Sequence, residues 1–449
     1  MTNPPHPRPR PVYALLALLF LTASGLRAQE SDVPTFTLRE AVGYAYENSN
    51  AVRNARVDIL DAEQGIRERL STGLPQINGS IDYTYYLKVP VLPLPEAFAM
   101  GDPNAPTEIA FQLRNNLIGG INISSSLFDP SYLVAVRAAR ASRDYFQLQL
   151  DESKRQVRNQ VTQVYFPVLL LGTNVTILER NIDNLERLLR ETQAQYEAGF
   201  VEQLDVDRLR LSLNNLRSQR DNLIQQRENA KRSLKLVLNY PEEQDLNVSD
   251  DLSELETEVE AAALTSDIPY LQRSEVRLLD QTLALQDLNV ELQRAAYLPS
   301  VSAIVSGQYQ YQGDNFSDGF WAPTVLTGLS VNVPIYDFGG RSARVERARL
   351  AKEKVVNQRA DVLRGISTEV RNARGTFTAA RANLLVTRDN RELAERIYET
   401  TQIKYREGVG SSIEVVQAEQ QLYEAQANYL SALYDTLVAK EDLYIALGQ

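Results

Sequence analysis

The sequence predicts a mixed α/β membrane protein in which two internal repeats supply a four-stranded share of a β-barrel, continuous with very long helices. Four segments alternate apolar and polar side chains, as strands do when one face meets lipid and the other meets water. Helical patterns over 130–198 and 341–405 are far longer than the helices of ordinary globular domains. The order helix, hairpin, long helix, long helix also occurs twice.

The composition of the chain excludes several kinds of chemistry. Its 449 residues contain no cysteine and one histidine, His6, which lies in a segment expected to be removed. Disulfides, thiol nucleophiles, histidine-based triads and most zinc or copper sites are therefore excluded, and we expect neither a cofactor nor an enzyme. The formal net charge of −11 argues against a nucleic-acid partner, because polyanions bind basic surfaces.

Residues 1–28 have the order of a secretory signal peptide: a basic, proline-rich start, an apolar run and small residues before Ala28. The alternative is an N-terminal membrane anchor, for which the apolar run is short. No later segment is expected to supply the apolar length that a transmembrane helix needs. The chain is therefore predicted to be exported and to enter a membrane only as a barrel.

The first repeat, 29–240, begins with a helix predicted over 37–70 and continues with a β-hairpin over 76–128. In the first strand of this hairpin, apolar and tyrosine side chains occupy odd positions and polar side chains occupy even ones. A loop with five prolines, 90–106, leads to a second strand with the same alternation. Such tyrosine-rich alternation is typical of transmembrane strands.

Two long helices complete this repeat, over 130–198 and 203–238. Pro167 is expected to kink the first helix or to mark a change of packing partner. Gly199 ends the first helix, and the tight turn that follows predicts an antiparallel helical hairpin.

An acidic connector, 241–266, separates the repeats. The second repeat, 267–449, has a helix, a hairpin over 299–336 and long helices over 341–405 and 413–447. Landmarks of the two repeats correspond pairwise: Leu74-Pro75 with Leu298-Pro299, Asp129 with Asp337, Tyr196 with Tyr405, Gly199 with Gly408, and Leu204 with Ile413. An internal duplication is the simplest explanation.

This pattern has a physical consequence for assembly. Four strands cannot close a barrel, and an open strand edge is forbidden in lipid, so the chain must oligomerise. Three copies would supply twelve strands, within the range of known barrels. The helices carry charges throughout and must project into an aqueous compartment as a coiled tube, while the polar strand face lines a pore.

The most specific motifs are the strand-to-helix junction NVPIYDFGG at 332–340 and the doubled helix-end turns QYEAG at 195–199 and KYREG at 404–408. With these motifs the chain resembles the TolC-like family of outer-membrane efflux proteins over nearly all of its mature length. The resemblance implies a homotrimer, with a 12-stranded β-barrel in the Gram-negative outer membrane and an α-helical coiled-coil barrel in the periplasm. It also implies a passive conduit to the exterior for a tripartite efflux or type I secretion system, joined to an inner-membrane transporter by a periplasmic adaptor protein.

The resemblance places a gate at the periplasmic tip of the helices, closed by links between helix pairs and by acidic rings. Glu414 corresponds to the first ring position and Gln417 to a second, which is not acidic here. Asp205 and Tyr405 correspond to one gate link of the family. Another link of the family uses an arginine, and Gly410 stands at that position here, so this second link is missing. Three converging carboxylates favour cations. The alternative is that Glu414 and Asp205 only cap helix N-termini.

The resemblance also places adaptor docking at the two turns of the tip. The residues concerned are Gly199, Phe200, Val201, Gly408, Val409, Gly410 and Ser411. For the glycines, helix termination is the alternative explanation.

Five aromatic side chains are candidates for a belt at the lipid bilayer interface: Tyr83, Tyr85, Tyr309, Tyr311 and Trp321. Each also suits an ordinary strand, since aromatic residues favour β-structure.

The competing function is that of an exported, non-conducting coiled-coil structural protein with soluble hairpins. The odd/even division of side chains across four separate strands argues against it. Efflux and type I secretion share the same kind of duct, and the sequence does not distinguish them.

Overall fold

The computed structural model describes residues 33–93, 108–110, 112–261 and 272–448, so the predicted signal peptide lies outside the described residues. The elements of the first half are β1 (Thr35–Phe36), α1 (Leu38–Asn48), α2 (Asn50–Ser71), β2 (Gln76–Tyr85), β3 (Val91–Pro93), β4 (Glu108–Ala110), β5 (Asn115–Phe128), α3 (Pro130–Glu197) and α4 (Gln203–Leu238). Those of the second half are β6 (Asn247–Val248), α5 (Leu252–Ala261), α6 (Ser274–Ala295), β7 (Ser300–Gly313), β8 (Phe320–Asn332), α7 (Gly340–Arg406) and α8 (Ser412–Leu447).

The helix predicted over 37–70 is divided in two at Ser49. Thr37 starts α1 with a capping box, in which its hydroxyl accepts from the Glu40 N–H and the Glu40 carboxylate accepts from the Thr37 N–H. Ser49 has an extended ψ of 131°, which ends α1, while its own N–H still donates to the Ala45 carbonyl. Periodicity misses this break because the apolar face continues across it, with Ala45 and Val52 both buried.

The long helix α3 runs without interruption past Pro167 for 68 residues, about 100 Å at 1.5 Å per residue. Among the described helices, α3 alone contains a stretch long and apolar enough to cross a membrane by composition. Half of that stretch is buried inside the chain, and α3 contributes Tyr165, Phe166 and Val168 to the main core. The expectation that no segment after the leader is so apolar is therefore wrong for α3, and packing against the other helices explains its composition.

The strands form one antiparallel four-stranded sheet in the order β2-β5-β7-β8. Directly paired residues lie on the same face, so the register determines which side chains share a face. One face, the apolar face, carries Ile77, Ile81, Tyr83, Leu117, Ile121, Ile123, Val301, Val305, Tyr309, Tyr311, Trp321, Val325, Leu329 and Val331. The opposite, polar face carries Gln76, Asn78, Ser80, Thr84, Asn116, Asn122, Ser124, Ser302, Ser306, Gln308, Gln310, Gln312, Thr324 and Ser330, with Ile118, Ile304, Phe320, Ala322 and Leu326 as apolar exceptions.

The return strand of the second hairpin is shorter than predicted at its helical end. β8 ends at Asn332, whereas the alternation extends to Tyr336. The reason is the partner strand, because β7 begins at Ser300, which pairs with Asn332. Beyond that pair there is no strand to accept hydrogen bonds, and Pro334 has no N–H to donate.

The loop predicted over 90–106 lies partly outside the described residues. Two short strands, β3 and β4, pair at its ends, with Val91 opposite Ala110. Residues 94–107 are not described.

At both strand-to-helix junctions an aspartate side chain caps the helix that follows. The Asp129 carboxylate accepts from the Ser131 N–H at 2.9 Å at the start of α3. The Asp337 carboxylate accepts from the Arg341 N–H at 2.8 Å at the start of α7, and the Arg341 guanidinium donates to the Pro334 carbonyl. Each aspartate thereby satisfies an N–H group of the first helical turn.

The helices are held by two apolar clusters. The larger one joins α1, α3, α4, α7 and α8 around side chains such as Tyr165, Phe377 and Leu433. The second lies towards the helical turns and includes Leu185 of α3 and Val415 of α8. Between the repeats, β6 pairs in parallel with β1, and residues 262–271 of the connector region are not described.

Candidate functional site

The two turns at the helical tip have the same backbone. Gly199 and Gly408 both take left-handed conformations, with φ of 81° and 74°. The Phe200 N–H donates to the Gln195 carbonyl, and the Val409 N–H donates to the equivalent Lys404 carbonyl. This is the Schellman arrangement that ends a helix. The glycines are therefore helix terminators, whatever further role the turns have.

Each turn presents a large apolar side chain to solvent. Phe200 is 82% exposed and Val409 is 77% exposed. These exposed side chains suit the predicted docking of an adaptor, together with Val201 and Ser411. Gly410 has little room for a side chain, since an added Cβ would lie 3.2 Å from the Tyr405 backbone nitrogen.

Asp205 and Tyr405, predicted as partners in a gate link, bond to other residues within one chain. Asp205 closes a capping box with Glu202 at the start of α4 and accepts a hydrogen bond from the Ser412 hydroxyl of α8. The Tyr405 hydroxyl donates to the Thr192 hydroxyl of α3 at 3.3 Å. Both contacts connect the first helical hairpin with the second. Burial raises the pKa of Tyr405, and the Asp205 charge raises it further.

The two predicted ring positions are exposed. Glu414 lies in the first turn of α8, where its charge is favoured by the helix dipole, and Gln417 follows one turn later. Their convergence in an assembly stays a prediction.

Sequence reasoning missed several contacts between the hairpins. Among these, the Arg406 guanidinium forms an ion pair of 3.1 Å with Glu191, and the Asn181 amide donates to Gln426. Glu419 of α8 is buried and accepts from the Ser212 hydroxyl of α4 at 2.7 Å. The available signal was the position of Glu419, a charged residue on an otherwise apolar helical stripe.

The aromatic candidates gather at the end of the sheet farthest from the helices. The rings of Tyr309 and Trp321 stack at 5.0 Å, and Tyr311 lies 5.2 Å from Trp321. Tyr83 stacks on Phe316, which also stacks on Tyr311 and which the sequence did not single out. Tyr85 lies on the same face of β2 as Tyr83 but has no ring partner among these aromatic contacts. Tyr311 differs from the other candidates, because it is 3% exposed and its hydroxyl donates to the Asn315 carbonyl. The other four are about half exposed, and their position at one end of the apolar face suits the headgroup region of a bilayer.

Within the part of the chain that the structure describes, no cluster of three or more His, Cys, Asp or Glu side chains is arranged to hold a metal ion.

Comparison with known proteins shows what this chain is similar to. The sequence profile of the outer membrane efflux protein family matches residues 42–240 and 271–449. The outer membrane protein TolC of Vibrio cholerae is 23% identical over 444 residues, which cover 96% of this chain and 94% of TolC. The cation efflux system protein CusC of Escherichia coli O157:H7 is 24% identical over 433 residues, 92% of this chain and 85% of CusC. The crystal structure of the Campylobacter jejuni CmeC outer membrane channel superposes with a TM-score of 0.68 at 20% identity, covering 92% of this chain and 85% of CmeC.

Proposed function

The chain belongs to the outer membrane efflux protein family, and on this basis we propose that it is the outer-membrane channel of a tripartite efflux system. In this role it is a passive conduit from the periplasm to the exterior of a Gram-negative cell. Its strands cross the outer membrane, and its long helices extend into the periplasm.

The division of the sheet into two faces carries this proposal. The register brings polar side chains together on one face and apolar side chains on the other, across all four strands. In the part of the chain that the structure describes, the outer strands β2 and β8 each pair on one side only, so both edges of the sheet are open in one chain. In lipid such edges must be paired, and three copies would close them into a 12-stranded barrel with a polar lumen.

The helices support the same assembly. α7 leaves many apolar side chains exposed in one chain, among them Leu350, Val356, Leu393, Ile397 and Ile403. A neighbouring copy would cover such side chains in a closed helical tube. The turns at Phe200 and Val409 would then lie at its free end, available to a periplasmic adaptor that connects the channel to an inner-membrane transporter.

Ion conductance tests the proposal. The purified, detergent-extracted protein is inserted into a planar bilayer, and we expect discrete, cation-preferring current steps. Glu414→Ala should lose part of the cation preference, because it removes the carboxylate predicted at the constriction. Glu68→Ala is the matched control, since Glu68 is an exposed glutamate on α2, at the strand end of the molecule, and should leave selectivity unchanged.

The outcomes separate the function from the site. If current steps appear and Glu414→Ala has the same ion selectivity as the wild type, the channel function stands and Glu414 acts only as a helix cap. A membrane-inserted trimer that passes no current, even after Asp205→Ala and Tyr405→Phe loosen the tip, would contradict the channel. A protein that leaves membranes without detergent would favour the exported structural protein instead.

A further inference from the structure

A buried glutamate joins the two helical hairpins close to the tip. Glu419 lies about two turns into α8 and is 3% exposed. Its Oε2 accepts the hydrogen bond from the Ser212 hydroxyl of α4, whereas its Oε1 has no hydrogen-bond partner among the residues that the structure describes. If this carboxyl group is ionised, its buried and unsatisfied oxygen destabilises the contact between the two helices.

The position of Glu419 favours its neutral form. On α8 it shares the buried stripe with Val415, Ala418 and Leu422. Burial raises the pKa of the Glu419 carboxyl to about 7, against the opposing effect of the Ser212 hydrogen bond.

The cations near this group do not neutralise it. From α7, the buried Tyr398 faces Glu419, and the pKa of Tyr398 is raised by burial and by the Glu419 charge. Arg406 of α7 and Arg187 of α3 lie close enough to Tyr398 to lower its pKa. They bond to Glu191 and to Asn184 respectively, rather than to Glu419.

A cleft of about 630 Å³ lies beside the contact, between α4 and α8. Its walls include Arg208 of α4 together with Tyr423 and Glu424 of α8. Arg208 is 3.8 Å from the Asp205 carboxylate and retains access to the cleft. An ionised Glu419 that moves into this cleft gains water and a nearby guanidinium in exchange for its buried position.

We propose that Glu419 is a proton-dependent gating residue of the channel. The neutral carboxyl group lets α8 pack against α4 without a buried charge, beside the Ser212 hydroxyl. When it loses its proton to water, the carboxylate leaves the interface for the cleft, and the contact between the hairpins weakens. This inference rests on the proposed function, because it requires a channel that opens at the helical tip.

The direction of the pH effect follows from the raised pKa. A carboxyl group that is harder to ionise in the closed form stabilises that form fully below its ordinary pKa of 4.5. This stabilisation is lost as the pH rises towards about 7. The ratio of open to closed channels should therefore increase with pH, by up to about tenfold per unit between pH 5 and 7, and should be constant above about pH 8.

Channel recordings across this pH range test the proposal with three variants. Glu419→Gln keeps the shape and cannot ionise, so its open fraction should stay at the low-pH value of the wild type. Ser212→Ala removes the hydroxyl that favours the carboxylate, so its pH profile should level off at a higher pH. Glu424→Gln, an exposed glutamate of the same cleft, is the matched control and should keep the wild-type profile.

A structural role alone would shift the open fraction equally at every pH. The proposal is overturned if Glu419→Gln keeps the wild-type pH dependence, or if the wild type conducts with no pH dependence between pH 5 and 8.

Thermal unfolding of the same purified proteins decides the case in which no current is seen. Glu419→Gln should match the wild type at pH 5 and melt at a higher temperature at pH 8, because only the wild type then ionises residue 419 and loses the buried contact between α4 and α8. Equal melting temperatures of the wild type and Glu419→Gln at both pH values would overturn the proposal independently of conduction. The absence of current in the bilayer, by itself, counts only against the channel function.

Discussion

Tyr196 and Tyr405 occupy the same position in the two turns of the tip, each three residues before the glycine that ends its helix. Their backbones match, but their surroundings do not. Tyr196 is 39% exposed, whereas Tyr405 is 6% exposed and its hydroxyl bonds to Thr192 across the hairpins. The two turns therefore share a backbone conformation and differ in the contacts around it.

The acidic residues that follow the turns differ in the same way. Asp205 and Glu414 are both third residues of their helices. Asp205 is fixed by its capping box and by the Ser412 hydroxyl, whereas Glu414 is exposed. Local sequence determines the backbone of each turn, and long-range packing determines which residue becomes a link. Asp205 therefore connects the first turn to α8, whereas Glu414 after the second turn is exposed to solvent.

The largest difference between the turns is expected for truncation of the two tyrosines. Tyr405→Ala should lower the free energy of unfolding by about 3 kcal/mol, because it leaves a cavity and an unpaired Thr192 hydroxyl. Tyr196→Ala should cost less than about 1 kcal/mol, since much of the ring is already in solvent. Denaturant unfolding followed by circular dichroism of the helices measures both values. Equal losses would mean that the two turns are packed alike.

A smaller difference is expected for the acidic pair. Asp205→Ala should cost about 1–2 kcal/mol, because the N–H of Glu202 and the hydroxyl of Ser412 both lose their acceptor. Glu414→Ala should cost about 0.5 kcal/mol, the worth of one charge at an exposed helix N-terminus. Asp205→Asn keeps one acceptor oxygen where the carboxylate uses one oxygen for each donor, so it should recover about half of the loss. If Asn behaves like Ala in the same unfolding measurement, the link depends on charge rather than on hydrogen bonding.

Most of the fold could be predicted because its signals are local. Alternating apolar and polar residues identify strands, and apolar residues that recur every 3.6 residues over a long stretch identify helices. Neither pattern requires knowledge of the segment against which the element packs. The exceptions are element boundaries that depend on contacts with another part of the chain. Ser49 breaks a helix whose apolar face continues, and β8 ends at Asn332 because β7 begins at Ser300.

The tip could be predicted less completely for the same reason. The glycines that end the helices follow from the sequence, since a left-handed residue is needed there. The partners of Asp205 and Tyr405 do not, because Ser412 and Thr192 are 207 and 213 residues away. Glu419 was visible as a charge on an apolar stripe, but its partner Ser212 is equally distant in sequence.

The smallest difference between the turns is expected for their glycines, which test whether the two turns share a backbone. Gly199→Ala and Gly408→Ala should each cost about 1 kcal/mol, because alanine disfavours the left-handed conformation while open space surrounds both positions. The losses should be equal, and the double variant should lose about twice as much, since nothing lies within 4 Å of the added Cβ at either glycine and the two substitutions share no contact. Gly375→Ala should change the free energy of unfolding in the opposite direction. This glycine lies in the interior of α7 with open space around it, so alanine should stabilise the helix by up to about 1 kcal/mol. Unfolding of all four variants gives the comparison. Unequal losses at Gly199 and Gly408 would mean that one turn relaxes around the new side chain, and that the tip is asymmetric in its backbone as well as in its contacts.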